Sequence, residues 1–352
     1  MARIMTDFLI IGQGLAGTLL AHFLQSDGYT VRIVDEYQVR ASTRVAAGLI
    51  NPVTGRRFVK SWRIDDLLPF ARQTYRLLES QLGVALYHER PIYRALYSVE
   101  EENLWLERCA DPQYRQYVSD EGLPETIAAY IHPPRGFGRV NGGAQVNIGT
   151  LVDAFRQRAT AEGILEAAPF DFAQLQISED AVRYGSLSAR HIVFCEGRWG
   201  KTNPLFSELP LVGDKGEVLL VRLPAGVSLE AIIKHRVFVV PMGEDLYWVG
   251  SNYSSRYESD APTEQGRGWL EENLRRSLRC SFEVLDHRAA VRPTVKDRRP
   301  LLGRHSEYGN VLIFNGLGTK GTSLGPFWAR HFADFLGGKT ELDAEVDVRR
   351  FG

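Results

Sequence analysis

Cysteine is scarce in this chain and long apolar runs are missing. Three cysteines in 352 residues, Cys109, Cys195 and Cys280, are odd in number, far apart and free of any C-x-x-C pair. A secreted disulfide framework is therefore excluded, and a reducing cytoplasm is the expected compartment. The best candidate for a membrane span, residues 8–24, is interrupted by Gly12, Gln13, Gly14 and Gly17 and falls short of the ~18–20 apolar residues that a span requires. With Arg3 as a charged start it imitates a secretory signal, yet no convincing small-residue cleavage site precedes Asp27. Charge of one sign is absent too: 42 basic against 43 acidic residues leave a net charge of -1. No global field recruits DNA, RNA or anionic lipid, so nucleic acid is disfavoured as a partner. The eight histidines form no H-x-x-x-H or Cys/His cluster, and no G-x-S-x-G turn occurs. Neither a metal site nor Ser-His-Asp hydrolysis is expected.

What remains is an ordinary globular composition, 44% hydrophobic and 24% charged, long enough for about two domains that need not be sequential blocks. The first 35 residues order their signals as strand, glycine cluster, helix, strand. Apolar residues 8–11 precede Gly12-x-Gly14-x-x-Gly17; Leu15, Ala16, Leu19, Leu20, Phe23 and Leu24 then recur at helical spacing, Gly28 ends the helix, and residues 31–34 lead to Asp35. In such a βαβ unit Gly12 makes the tight turn, Gly14 lets the backbone approach a pyrophosphate, and Gly17 lets helix and strand pack closely. The helix N-terminus faces the phosphate and Asp35 accepts from a ribose hydroxyl. This motif alone leaves NAD and FAD open.

Further along, helices are expected over residues 65–82, 100–109, 148–162, 263–278 (with Thr263 as N-cap) and 323–336. Strands are expected at residues 164–168, 191–195, 217–223, 236–241, 246–251 and 311–314. The tail repeats the opening order of strand, glycine turn and helix. Residues 83–139 read as an insertion.

The segment Ala41-Ser42-Thr43-Arg44-Val45-Ala46-Ala47-Gly48-Leu49-Ile50-Asn51-Pro52 resembles the signature that follows the second strand in the D-amino-acid oxidase and glycine oxidase family. There a Ser/Thr-rich turn contacts the cofactor and an Ala-Gly pair passes close to the flavin. Residues 142–162 resemble the family's helix-before-strand segment. The stretch Ile192-Val193-Phe194-Cys195-Glu196-Gly197-Arg198-Trp199 resembles its strand under the adenosine half, and Gly213 to Glu217 with Val240-Pro241 and Trp248-Val249-Gly250 resembles its substrate sheet. Ala289-Ala290-Val291-Arg292-Pro293 and Asp297-Arg298-Arg299-Pro300-Leu301-Leu302-Gly303 resemble its G-x-R-P and D-x-x-P-x-x-G blocks. Three positions depart from the pattern: Cys195-Glu196 replaces Ala-Thr, Ala290 replaces Gly, and the Gly-His turn is here Gly316-Leu317-Gly318-Thr319-Lys320-Gly321.

The resemblance implies an α/β fold: a Rossmann-like FAD-binding domain from residues 1–82, 140–205 and 288–352, and a discontinuous antiparallel-sheet (α+β) substrate domain from 83–139 and 206–287. It implies non-covalent FAD, since no cysteine lies in residues 292–321. The cofactor would be held by Gly12, Gly14, Leu15, Ala16, Gly17 and Asp35; by Ser42, Thr43, Arg44, Ala47, Gly48 and Leu49; and by Gly197, Trp199, Arg292, Gly318, Thr319, Lys320, Gly321 and Thr322. Arg292 would grip a substrate carboxylate, with a salt bridge to an acid such as Asp297 as its structural alternative. Tyr253 and Arg56 are further candidates for substrate contact. The implied reaction is oxidation of an amine or amino acid by hydride transfer from the carbon next to nitrogen to flavin N5, giving an imine that water hydrolyses; no acid-base pair is identified. Two other readings stay open: action on a carboxymethylamino group of a larger, tRNA-type molecule, and flavin binding without turnover.

Overall fold

The computed structural model describes residues 5–352. Five parallel strands form the spine of one mixed sheet, in the spatial order Leu165–Glu166, Val31–Val34, Thr6–Ile11, Leu187–Phe194 and Val311–Asn315. Numbered along the chain this is 3-2-1-4-5, so the order reverses between the first and fourth strands. Antiparallel additions at Val182–Tyr184, Leu175–Ile177 and Leu301–Arg304 complete the sheet.

Residues alternate faces along a strand, and the first strand shows it. Phe8 and Ile10 enter the core that also contains Leu19, Leu20, Phe155, Trp328 and Phe332. Leu9 and Ile11 enter a second core with Val182, Phe194 and Val311. Helices Leu15–Ser26, Ile64–Leu82, Ile148–Ala161 and Gly321–Leu336 pack together, which is why the apolar stripes read from the sequence are buried.

A second, mostly antiparallel sheet carries the order Glu283–Val295, Leu211–Arg222, Leu246–Gly250, Phe238–Gly243, Ile232–Lys234, Ile92–Leu96, Gly136–Val140 and Val118–Ser119. Helix Glu264–Arg275 packs against it, and the Thr263 hydroxyl accepts from the Gly266 N–H at 3.0 Å, the expected cap. The stretch 83–139, read as an insertion and assigned with 206–287 to the substrate domain, supplies three strands of this sheet. The boundary placed at residue 288 falls inside one continuous strand, Glu283–Val295, which pairs with Leu211–Arg222 along its whole length. The Arg292 segment is therefore carried by the second sheet. Among the described residues no helix is long and apolar enough to cross a membrane, and no group of His, Cys, Asp and Glu is placed to hold a metal.

Candidate active site

The carboxyl ends of Thr6–Ile11 and Leu187–Phe194 open into a cavity of about 580 Å³, at the point where the strand order reverses and open α/β sheets bind their ligands. Its first wall is the glycine turn. Gly12 has φ +98°, and a Cβ there would lie 2.6 Å from the Cys195 carbonyl oxygen, so no other residue fits without displacing backbone. Gly14 is the N-cap of helix Leu15–Ser26, with no capping side chain and no acid in the first turn. Gly14, Leu15 and Ala16 line the cavity. Gly17 does not: a Cβ on it would overlap the Gly12 carbonyl oxygen, so its role is the close packing of turn against helix.

Asp35 lines the cavity and already accepts from the Gln13 N–H at 2.8 Å, the Tyr37 N–H at 2.9 Å and Arg156 Nη1 at 2.6 Å. A carboxylate has roughly four acceptor sites, so about one remains for a further donor. Ser42, Thr43 and Arg44 sit in a single helical turn, Ser42–Val45. The Thr43 hydroxyl accepts from the Leu15 N–H at 3.2 Å, fastening this turn to the start of helix Leu15–Ser26. Arg44 stacks 3.7 Å from the Tyr37 ring centroid and pairs with Asp153, so its charge is matched by protein. Ala47, Gly48 and Leu49 continue the wall, Gly48 with φ +71° and pressed against the Val146 carbonyl.

Gly197 and Trp199 line the opposite side, joined by Gly318, Thr319, Gly321 and Thr322. Helix Gly321–Leu336 starts there, again with no capping side chain and no first-turn acid. Two helix N-termini whose cap residues supply no side-chain acceptor and whose first turns hold no acid thus meet one cavity. The second sheet contributes Gly216, Val218, Phe238, Trp248, Ser251 and Arg292. Trp248 Nε1 donates to the Val45 carbonyl at 2.8 Å, locking this sheet to the Ser42–Val45 turn.

Arg292 lines the site and, among the described residues, has no ion pair; the nearest acid in its ladder is the cross-strand Asp214. Its Nη2 donates to Ser251 Oγ at 2.6 Å and its Nη1 to the Asp214 carbonyl at 3.5 Å, with no carboxylate in ion-pair range. The expected alternative partner, Asp297, is engaged instead by Arg350, with Nε 2.8 Å from Oδ2. Burial pushes the Arg292 pKa below its ordinary value, with Tyr253 and Asp214 opposing. Partial burial of a guanidinium without an ion pair carries a cost that a ligand's carboxylate would offset. Gly216 makes room for it: a Cβ there would collide with the guanidinium. Gly216→Ala is expected to raise KM for a carboxylate-bearing substrate about tenfold while kcat changes less, measured by steady-state kinetics; an unchanged KM contradicts this.

Besides Gly17, two candidates fall outside the cavity lining. Lys320 donates from Nζ to Ser61 Oγ at 3.3 Å, and burial with neighbouring Arg298 and Arg299 lowers its pKa. Arg56 is exposed in the loop between Val53–Thr54 and Val59–Lys60. Tyr253 stands at the cavity edge, 62% exposed, its ring centroid 5.8 Å from the Arg292 guanidinium carbon.

Glu196 is a cavity residue that the sequence marked only as a departure from the family pattern. Burial pushes its carboxyl from 4.5 up to about 7, opposed by Asn203 Nδ2, which donates to Oε2 at 2.7 Å. Between those values the folded protein keeps a proton that the unfolded chain has released. The contribution to stability is full below pH 4.5 and is lost as pH rises through about 7. Glu196→Gln and the parent are expected to diverge in stability from pH 5 to pH 8, the glutamine variant gaining on the order of 3 kcal/mol. A pH-independent difference in thermal or denaturant unfolding contradicts this.

Residues 7–335 match the DAO family, described as FAD-dependent oxidoreductase. The chain belongs to that family. It is 24% identical over 363 residues to glycine oxidase from Bacillus licheniformis, covering 95% of each chain. It is likewise 24% identical over 365 residues to the bifunctional protein ThiO/ThiG of Trichormus variabilis, covering 94% of this chain and spanning about half the length of that relative. Among solved structures, glycine oxidase from Bacillus cereus superposes with a TM-score of 0.80 at 22% identity, covering 96% of both chains. The residues present suit the family's cofactor: a glycine cradle that excludes side chains, an acidic residue with acceptor capacity left, and two uncapped helix N-termini border one continuous cavity.

Proposed function

We propose that this FAD-dependent oxidoreductase oxidises an amine or amino acid that carries a carboxylate, at the carbon next to nitrogen. The observation that supports this most is Arg292, a partly buried guanidinium in the cavity wall with no ion-pair partner among the described residues. In this reading Gly12, Gly14, Leu15 and Ala16 hold the pyrophosphate and Asp35 a ribose hydroxyl, while Gly48, Leu49 and the turn at Gly318 to Thr322 border the ring. The parallel-sheet unit holds the cofactor, and the second sheet presents the substrate to it. When bound, FAD supplies the hydride acceptor.

The protein's own share is orientation and exclusion of water. Arg292 pairs its planar fork with the carboxylate and fixes the attached amine in one pose. Ser251 holds the fork, and Gly216 leaves it space. Phe238, Val218 and Trp248 supply apolar walls. Among the described residues no histidine or lysine lines the cavity, so the amine loses its proton before or on entry rather than to a protein base of that kind. Activity therefore rises with pH through the amine's own pKa. The three free cysteines suit a reducing, cytoplasmic setting.

Anaerobic mixing with glycine, sarcosine, other small secondary amines and D-amino acids tests the proposal. At least one carboxylate-bearing amine is expected to bleach the flavin bands. Bleaching by none of them overturns it.

A further inference from the structure

One acid stands where an anion is expected to bind. Glu196 follows strand Leu187–Phe194 and lines the cavity beside the glycine turn, where a Cβ built on Gly12 would lie 3.4 Å from the Glu196 Cα. An ionised carboxylate beside a diphosphate is a pair of like charges, which favours the protonated acid. The cations on this side of the cavity are matched by protein acids: Arg44 pairs with Asp153, Arg156 with Asp35, and Arg198, lying over the Trp199 ring, with Asp260. Lys201 is exposed, Glu36 accepts from the Gln38 amide, and Arg292 belongs to the second sheet. The neighbouring Cys195 is held as a neutral thiol, its pKa pushed up by burial and by Glu196.

Hydrogen bonding fixes where the proton of Glu196 sits. The side-chain oxygen of the buried Asn203 accepts from the Leu205 N–H at 2.9 Å, so the amide turns its NH2 group to Glu196, and Nδ2 donates to Oε2 at 2.7 Å. Oε2 is therefore the carbonyl oxygen of the protonated acid, and Oε1 carries the hydroxyl. Among the described residues no cation forms an ion pair with this carboxyl, and burial pushes its pKa up to about 7 against the opposing Asn203 bond. The family pattern has threonine at this position, whose hydroxyl donates at any pH; Glu196 donates only while protonated.

We infer that Glu196 binds the FAD pyrophosphate as a neutral acid, donating its Oε1 proton to a phosphate oxygen, so that the cofactor and one proton are held together. The inference rests on the placement of the pyrophosphate at Gly12 and is independent of the substrate. Its consequence has a definite sign. The complex keeps a proton that the free protein releases as pH rises through about 7, so FAD binding weakens above that pH and is nearly constant below about pH 6.

Diluting the holoenzyme at pH 6, 7 and 8 and following the fluorescence of released flavin gives the FAD dissociation constant. The parent is expected to bind about tenfold more weakly at pH 8 than at pH 6. Glu196→Gln, which offers a carbonyl to Asn203 and an N–H to the phosphate, is expected to lie within about threefold of the parent at pH 6 and to stay flat to pH 8. Glu196→Ala is expected to be flat as well, and about tenfold weaker than the parent at pH 6, through loss of a hydrogen bond to a charged group. A parent flat in pH, or an equal decline in Glu196→Gln, overturns the inference. So does affinity that rises with pH, the behaviour of an ionised carboxylate accepting from a ribose hydroxyl, or Glu196→Ala as tight as the parent at pH 6. A flat parent beside a Gly12→Ala variant that loses its flavin overturns the proton and keeps the phosphate placement; Gly12→Ala holding FAD as tightly as the parent overturns both.

Discussion

Replacing Arg292 with leucine is expected to lower kcat/KM for flavin reduction by a carboxylate-bearing amine roughly 30- to 3000-fold, with FAD content unchanged. Truncating one member of a buried charge pair costs about 2–5 kcal/mol, and each 1.4 kcal/mol is a factor of ten. Stability should not fall with activity, because this partly buried guanidinium has no ion pair among the described residues and donates to Ser251 Oγ and the Asp214 carbonyl. Arg292→Lys is expected to fall between the two, since an ammonium restores charge without the bidentate geometry. Amines lacking a carboxylate should distinguish parent from variant hardly at all. If Arg292→Leu stays within threefold of the parent on its best substrate, the carboxylate is held elsewhere.

Gly12→Ala is expected to purify largely without flavin. Its added methyl group would lie 2.6 Å from the Cys195 carbonyl oxygen and 3.0 Å from that carbonyl carbon, on a residue held at φ +98°. Overpacking against backbone costs roughly 1–3 kcal/mol and left-handed φ about 1–2 more. The cost falls where the turn meets the fourth strand, so it is paid as a displaced phosphate cradle. Gly28→Ala is the control. Gly28 also has positive φ, at +87°, but has open space where its Cβ would point. It is expected to lose some stability and keep its flavin, so flavin content measured by absorbance separates cradle from strain. Equal retention in both variants contradicts the role given to Gly12.

The opening strand, glycine turn and helix were legible because their logic is local. Strand, glycine turn, helix and Asp35 fall within 30 residues, and each residue type answers a demand of its immediate neighbours. Helix faces were legible for the same reason, as with Leu67, Leu68, Ala71, Tyr75 and Leu78 in Ile64–Leu82, all buried. Pairings distant in sequence were not. Residues 92–96 join residues 232–234 in a parallel ladder, which no periodicity announces. Nor does a pattern reveal that residues 283–295 form one strand across the place where a domain boundary seemed due. The fate of Arg292 depended on a residue distant in sequence: Arg350 engages Asp297, the acid read as its alternative partner. Lys320 and Arg56 failed as cavity residues for a related reason: a basic residue in a glycine-rich loop reads the same whether it faces a ligand, a neighbouring hydroxyl or water.

The most direct test of the central claim is a crystal structure of the purified protein with a non-reactive carboxylate soaked in. The expected result is one FAD with its pyrophosphate at Gly12 to Leu15, its ring between Gly48 and the Gly318 to Thr322 turn, and the added carboxylate on the Arg292 guanidinium. A nicotinamide cofactor in that crevice, or a carboxylate bound away from Arg292 with the guanidinium turned out of the cavity, would contradict it.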